Sequence, residues 1–220
     1  MPASSWVRIG GWVAVPLTLL TLGWGLLFRP GAGSIASLPP ESSGSPSNPG
    51  GGPVTFVGDS LTAEGDWQAA FPARVVYNQG VSGDTSFQLM ARLPSIRQTG
   101  AATYLVMVGI NDIIWGYDPG RIAGRIQWLR TGLQIGTGAR VVVQSTIPCA
   151  RFRCGADGVR RVAELNQRLA QQTPARDYAD LTSVMADADG LKRAYTVDGV
   201  HLNAAGYARW QARLRELGLP

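Results

Sequence analysis

Histidine occurs once in this 220-residue chain, at His201, three positions after Asp198. A carboxylate at that spacing can hold an imidazole in one tautomer and stabilise the imidazolium formed when the ring takes a proton. The partner that such a base would activate is Ser60, in Gly58-Asp59-Ser60-Leu61. A serine hydroxyl is a weak nucleophile until an adjacent base removes its proton, and His201 is the only histidine able to do so. Each group also has a plainer use. Gly, Asp and Ser are ordinary turn formers, and a histidine near a helix start is commonly a surface residue. The chemical reading depends on the elements that carry them.

Ser60 follows Pro53-Val54-Thr55-Phe56-Val57, an apolar run that reads as a buried strand. Further strands are expected at 75–77, 103–108, 140–145 and 176–179. Between them lie helical stripes: Leu89, Leu93 and Ile96; Ile122, Ile126, Leu129 and Leu133; Val162, Leu165 and Leu169; Tyr207, Trp210, Leu214 and Leu217. Apolar strands alternating with amphipathic helices predict an α/β fold with a parallel sheet covered on both faces. In such a sheet the loops at the carboxyl ends of the strands share one edge. That edge would gather Ser60, the segment Asn78-Gln79-Gly80-Val81-Ser82-Gly83-Asp84-Thr85, the segment Gly109-Ile110-Asn111-Asp112 and the Asp198–His201 loop.

These four blocks, in this order, resemble the SGNH subgroup of GDSL hydrolases over essentially the whole of 54–220. The resemblance implies a flavodoxin-like, three-layer α/β/α fold and cleavage of esters or thioesters. It makes Ser60 the nucleophile, Asp198 and His201 its triad partners, and Gly83 and Asn111 oxyanion donors beside the Ser60 N–H. The chemistry agrees: glycine lets a backbone N–H approach closely, and an amide donates where an aspartate would repel negative charge. Asp59, Asp84 and Asp112 are read as hydrogen-bond acceptors that fix loops, Gly80 as a turn requirement and Asn203 as a helix cap. Gly65-Asp66-Trp67 and Gly109-Ile110-Asn111-Asp112 look like the acylhydrolase or lysophospholipase branch, although carbohydrate deacetylases share the blocks. The expected activity is ester hydrolysis through an acyl-enzyme, without metal or cofactor, on a small-molecule or lipid ester. Alternatives are an O-deacetylase or acyltransferase of the cell envelope, or a non-enzymatic binding module on the same fold.

The N-terminal region points to export. Residues 9–28 are uncharged and rich in Leu, Val, Trp and Gly. As a helix they would extend about 30 Å, the thickness of a bilayer core. Residues 1–29 are therefore read as a membrane anchor on the extracytoplasmic side, or as a signal peptide cleaved after Ser34-Ile35-Ala36. Residues 30–53, mostly Pro, Gly and Ser, read as a disordered linker to a single hydrolase domain at 54–220. The two cysteines, Cys149 and Cys154, would pair in an oxidising compartment and could wall the substrate cleft. A net charge of +5, scattered and without a nucleic-acid motif, gives no reason to expect nucleic-acid binding. Arg151, Arg153, Arg160 and Arg161 read as a solvated face, and the domain is expected to be a monomer.

Overall fold

The computed structural model describes residues 51–220. The anchor or signal peptide expected at 1–29, and the linker up to residue 50, lie outside the described residues. The strands are β1 (Val54–Gly58), β2 (Val76–Gly80), β3 (Thr103–Met107), β4 (Arg140–Gln144) and β5 (Tyr178–Ala179). They form a parallel sheet in the order β2-β1-β3-β4-β5. β1, β3 and β4 are buried almost throughout, as expected of strands covered on both faces. The chain moves from β1 to β2 on one side and then to β3 on the other. The crevice at the carboxyl ends of β1 and β3 is therefore the topological switch point, where open α/β sheets bind ligands.

Short helices follow the first strands: α1 (Ser60–Ala63), α2 (Trp67–Ala70), α3 (Ser86–Ala91), α4 (Leu93–Arg97) and α5 (Ile110–Ile114). The longer α6 (Pro119–Gln134) and α7 (Arg151–Gln172) come next. After them come α8 (Thr182–Met185), an antiparallel pair β6 (Ala186–Asp187) and β7 (Gly190–Leu191), and α9 (Ala204–Glu216). One helical group is α3, α4, α6 and α7, packed successively on one another; α8 and α9 pack together in a second group. Every predicted stripe residue of α6 and α7 is buried. The stripe Leu89, Leu93 and Ile96 is divided between two helices at Arg92, with Pro94 in the first turn of the second. Leu217 lies past the end of α9 and is exposed, whereas Leu219 is buried.

Aromatic packing ties the last helix to the first strand. Trp67 stacks on Phe56 with ring centroids 4.1 Å apart and meets Trp210 edge-on at 4.7 Å. Its Nε1 donates to the Thr62 carbonyl at 2.7 Å. Asp66 caps α2 through the Ala69 N–H. Gly65-Asp66-Trp67 is thus a packing motif in this chain. β2 runs further than predicted, taking in Asn78-Gln79-Gly80. Gly80 is consequently in a strand, not a turn: a Cβ there would lie 2.2 Å from the Ala63 nitrogen, so glycine lets β2 approach α1. Among the described residues, no helix is long and apolar enough to cross a membrane.

Candidate active site

The turn after β1 carries Ser60 into the switch-point crevice. Asp59 is the N-cap of α1, and its Oδ1 accepts from the Leu61 N–H at 3.1 Å. Ser60 opens that short helix, so its own N–H has no intrahelical acceptor. Ser60 is 6% exposed, and its Oγ lies 3.2 Å from His201 Nε2. Asp59 is fully buried. Desolvation, with a smaller push from Asp112, raises its carboxyl to about 7, against the Leu61 hydrogen bond that pulls it down. Of the two carboxylates nearest in sequence to Ser60 and His201, Asp59 is thus the one that favours the neutral form.

Asp198 behaves in the opposite way. Partial burial raises its pKa, but hydrogen bonds from the His201 ring and from the Val200 and His201 N–H groups outweigh that and hold it at about 2. Its Oδ2 lies 2.8 Å from His201 Nδ1, while Oδ1 accepts from the N–H groups of Val200 and His201 at 2.9 and 2.8 Å. An ionised carboxylate at Nδ1 places the ring proton there and leaves Nε2 free to accept from Ser60. Thr196 closes the loop: its Oγ1 donates to the His201 carbonyl at 2.7 Å and accepts from the Gly199 N–H at 2.8 Å. Asn203, as expected, caps α9 through the Gly206 N–H.

Asn111 lies in the first turn of α5, the helix that follows β3. Its Nδ2 donates to the Asp84 carbonyl at 2.9 Å, which orients the amide and leaves its second N–H for another acceptor. Gly83 immediately precedes Asp84. Its φ of +83° is left-handed, the conformation for which glycine is suited, and its N–H donates to no described residue. Ser60, Gly83 and Asn111 therefore sit on three adjacent strand ends with donors available. Asp84 and Asp112 fix loops, as their sequence context suggested. The Arg92 guanidinium binds Asp84 at 2.6 Å, and buried Asp112 accepts from the Ser86 N–H and hydroxyl at 2.8 and 2.6 Å. Burial drives the Asp112 carboxyl up, against the hydrogen bonds from Ser86.

Cys149 and Cys154 form a disulfide. The residues between them are not a free loop: Arg151 to Cys154 open α7, with a break at Gly155. The N–H of Ala150 donates to the Gly199 carbonyl at 2.7 Å. Phe152 and Arg153 pack so closely on Gly199 that a Cβ there would meet both within 3.0 Å. The disulfide segment thus backs the Asp198–His201 loop, a contact without any local sequence signal. Cys154 also lines a crevice of about 450 Å³ with Ile113, Ile114 and Arg161, one turn beyond Asn111. Of the arginines there, Arg160 is solvated and paired with Asp157, whereas Arg161 braces the Ile113 and Tyr117 carbonyls. Among the described residues, no group of three or more His, Cys, Asp or Glu side chains could hold a metal ion.

The fold recurs in solved structures. A GDSL-like lipase from Bacteroides thetaiotaomicron is 23% identical, with a TM-score of 0.63 over 74% of this chain and 85% of the other. A lipase/acylhydrolase from Enterococcus faecalis is 18% identical, with a TM-score of 0.62 over 76% and 95%. A catalytic mutant of an acetylxylan esterase from Geobacillus stearothermophilus is also 18% identical, with a TM-score of 0.62 over 77% and 96%. No curated protein matches the sequence. The family model described as GDSL-like lipase/acylhydrolase matches residues 56–209, spanning the strand before Ser60 through the loop bearing His201, and the chain belongs to that family.

Proposed function

We propose that this chain is a serine carboxylic-ester hydrolase that works through an acyl-enzyme. The observation that carries the reading is the continuous line from Asp198 Oδ2 to His201 Nδ1 at 2.8 Å and from Nε2 to Ser60 Oγ at 3.2 Å. Ser60 attacks the acyl carbonyl while His201 takes its proton. The carbonyl oxygen becomes an oxyanion facing the N–H groups of Ser60 and Gly83 and the amide of Asn111. His201 then protonates the departing alcohol. Water repeats the sequence, giving up its proton to His201 and releasing the acid from Ser60. Asp198 remains ionised throughout and stabilises the imidazolium.

Gly65-Asp66-Trp67, one of the motifs that suggested a lysophospholipase, caps α2 and packs into the core. Export is part of the proposal, supported by the apolar segment at 9–28 and by the disulfide. A fluorophosphonate probe tests the chemistry, because it reacts only with an activated serine. Labelling of wild type and not of Ser60→Ala is expected; an unlabelled, folded wild type would point to a binding module instead. The full-length protein is expected to fractionate with membranes. A native N-terminus at Ser37 would show that the segment is cleaved.

A further inference from the structure

Gly83 sits in a turn with little packed against it. Val81, Ser82 and Gly83 are all exposed, and a Cβ placed on Gly83 would meet no atom within 4 Å. The Val81 N–H joins the turn to β1 by donating to the Gly58 carbonyl at 3.1 Å, and the Asp84 N–H closes it on the Val81 carbonyl at 3.1 Å. An exposed turn with so few contacts keeps its shape only as well as its ends are held. Asp84, which is buried, is the end that matters to both donors. It directly follows Gly83, and its carbonyl accepts from Asn111 Nδ2 at 2.9 Å. Whatever fixes Asp84 therefore aims the Gly83 N–H and the Asn111 amide together.

The Asp84 carboxylate is held by Arg92, the residue at which the helical stripe breaks between α3 and α4. Arg92 Nε and Nη2 both donate to Asp84 Oδ2, at 2.8 and 2.6 Å, and Nη2 also donates to the Gln79 carbonyl at 3.2 Å. Gln79 belongs to β2, the strand from which the turn departs. One guanidinium thus grips the chain before the Gly83 turn and the residue after it, a task for a planar fork of fixed donors. The two side chains are only 24% and 9% exposed, so solvent and salt screen the pair less than a surface pair. The start of α3 is secured separately, by the capping box of Thr85 and Gln88 and by Ser86 on Asp112. Arg125 braces that second tie, pairing with Asp112 at 3.6 Å and lying over the rings of Phe87 and Tyr117. Without Arg92 a buried carboxylate would be left unpaired beside groups that must meet an oxyanion, and the Asp84 peptide would be free to shift.

We propose that Arg92 is a positioning residue of the oxyanion hole, holding Gly83 and Asn111 in line through Asp84. This rests on the serine-hydrolase reading above. The test is a double-variant cycle on the full-length protein with p-nitrophenyl acetate: Arg92→Ala, Asn111→Ala and the two combined. Arg92→Ala is expected to lower kcat about thirtyfold with KM changed by less than about twofold, since the donors it aligns engage as charge develops. Affinity for a trifluoromethyl ketone, which takes up Ser60 Oγ and presents an oxyanion, should fall in parallel with kcat. In the Asn111→Ala background the same substitution should cost only about threefold, because one of the two donors is already gone. Arg92→Lys keeps the charge without the fork and should recover only a few-fold of the loss. Arg97→Ala is the control: it removes an arginine of α4 that donates to the Gly132 and Ile135 carbonyls, and kcat should not move. Wild-type kcat in a folded Arg92→Ala protein would overturn the proposal, as would a change in KM alone or an undiminished thirtyfold loss when Asn111 is absent. Full recovery by Arg92→Lys would reduce the role to charge and overturn the clamp, and an equal loss in Arg97→Ala would reduce it to general loosening. Should Arg92→Ala fail to fold, the cycle is run with Arg92→Lys, whose smaller loss must also shrink in the Asn111→Ala background. A wild type that neither turns over nor takes a fluorophosphonate label fails as a hydrolase, and the positioning role falls with it; an active wild type beside an unaffected Arg92→Ala sinks the positioning role alone.

Discussion

The two halves of the site are built in different ways. On one side, Ser60, Gly83 and Asn111 are borne by the ends of adjacent strands, and the acids beneath them, Asp59 and Asp112, are fully buried. On the other, Asp198 and His201 share a loop, with side chains 47% and 37% exposed. That loop is held by Thr196, by the Ala150 N–H and by the disulfide segment behind it. The contrast follows the chemistry assigned to each half. Donors that meet a developing charge act best when fixed in advance and shielded from water. A base that exchanges protons with a leaving alcohol and then with water needs access to solvent, and can be kept in line by a few hydrogen bonds.

Substitutions of the reacting groups should have the largest effect. Ser60→Ala and His201→Ala are each expected to lower kcat by about a millionfold, and Asp198→Asn by about ten-thousandfold through loss of the correct tautomer. Steady-state turnover of p-nitrophenyl acetate, with circular dichroism to verify folding, measures this. A folded Ser60→Ala enzyme retaining full activity would remove the mechanism. On the donor side, Asn111→Ala should cost about 10²–10³ in kcat with KM little changed, because its free N–H engages mainly as charge develops. If KM alone moved, Asn111 would be a substrate-binding group and the contrast between the halves would weaken.

The disulfide tests the loop side. Replacing both Cys149 and Cys154 by serine loosens the segment whose Ala150 N–H holds Gly199, and a small misplacement of His201 is costly. A fall in kcat of about tenfold is expected. So short a cross-link contributes only about 2 kcal/mol to stability, giving a drop in Tm of only a few degrees. Kinetics and thermal melts of the double variant decide it. A large loss of Tm with kcat unchanged would make the bond a staple of the fold and not of the loop.

A test of the buried side is read as stability against pH and not as turnover. Asp59 titrates near 7 in the folded chain, against 3.8 ordinarily. The folded state therefore keeps that proton after the unfolded state has lost it. The stabilisation is fully present below about pH 4, declines as pH rises toward 7 and is constant above. Tm should carry a downward slope across that window that Asp59→Asn removes, since asparagine still accepts from Leu61. An identical slope in the variant would show that Asp59 is not the titrating group. Asp198, whose pKa is lowered, has the opposite sign: its contribution is lost only as pH falls from about 4 toward 2.

Much of this was legible in the residues themselves, because periodicity and turn chemistry are local. Buried apolar runs marked β1, β3 and β4 within a residue of their ends, and the stripes of α6 and α7 marked their buried faces. The strand-then-turn placement of Ser60 and the three-residue interval from Asp198 to His201 were similarly visible. Elements that owe their form to neighbours were not. β2 lacks a continuous apolar signal and extends through Asn78-Gln79-Gly80 because β1 supplies its hydrogen bonds and α1 presses on Gly80. The same holds for Ala150 against Gly199 and for Arg125 between Phe87 and Tyr117, pairs that no spacing rule connects. The α/β class of the fold and the candidate serine, histidine and carboxylate could be read from the residues alone, since both follow from side-chain chemistry and local pattern. Only tertiary structure decided which residues hold them in line and which line the site, because those contacts join distant segments through packing in a shared low-dielectric interior.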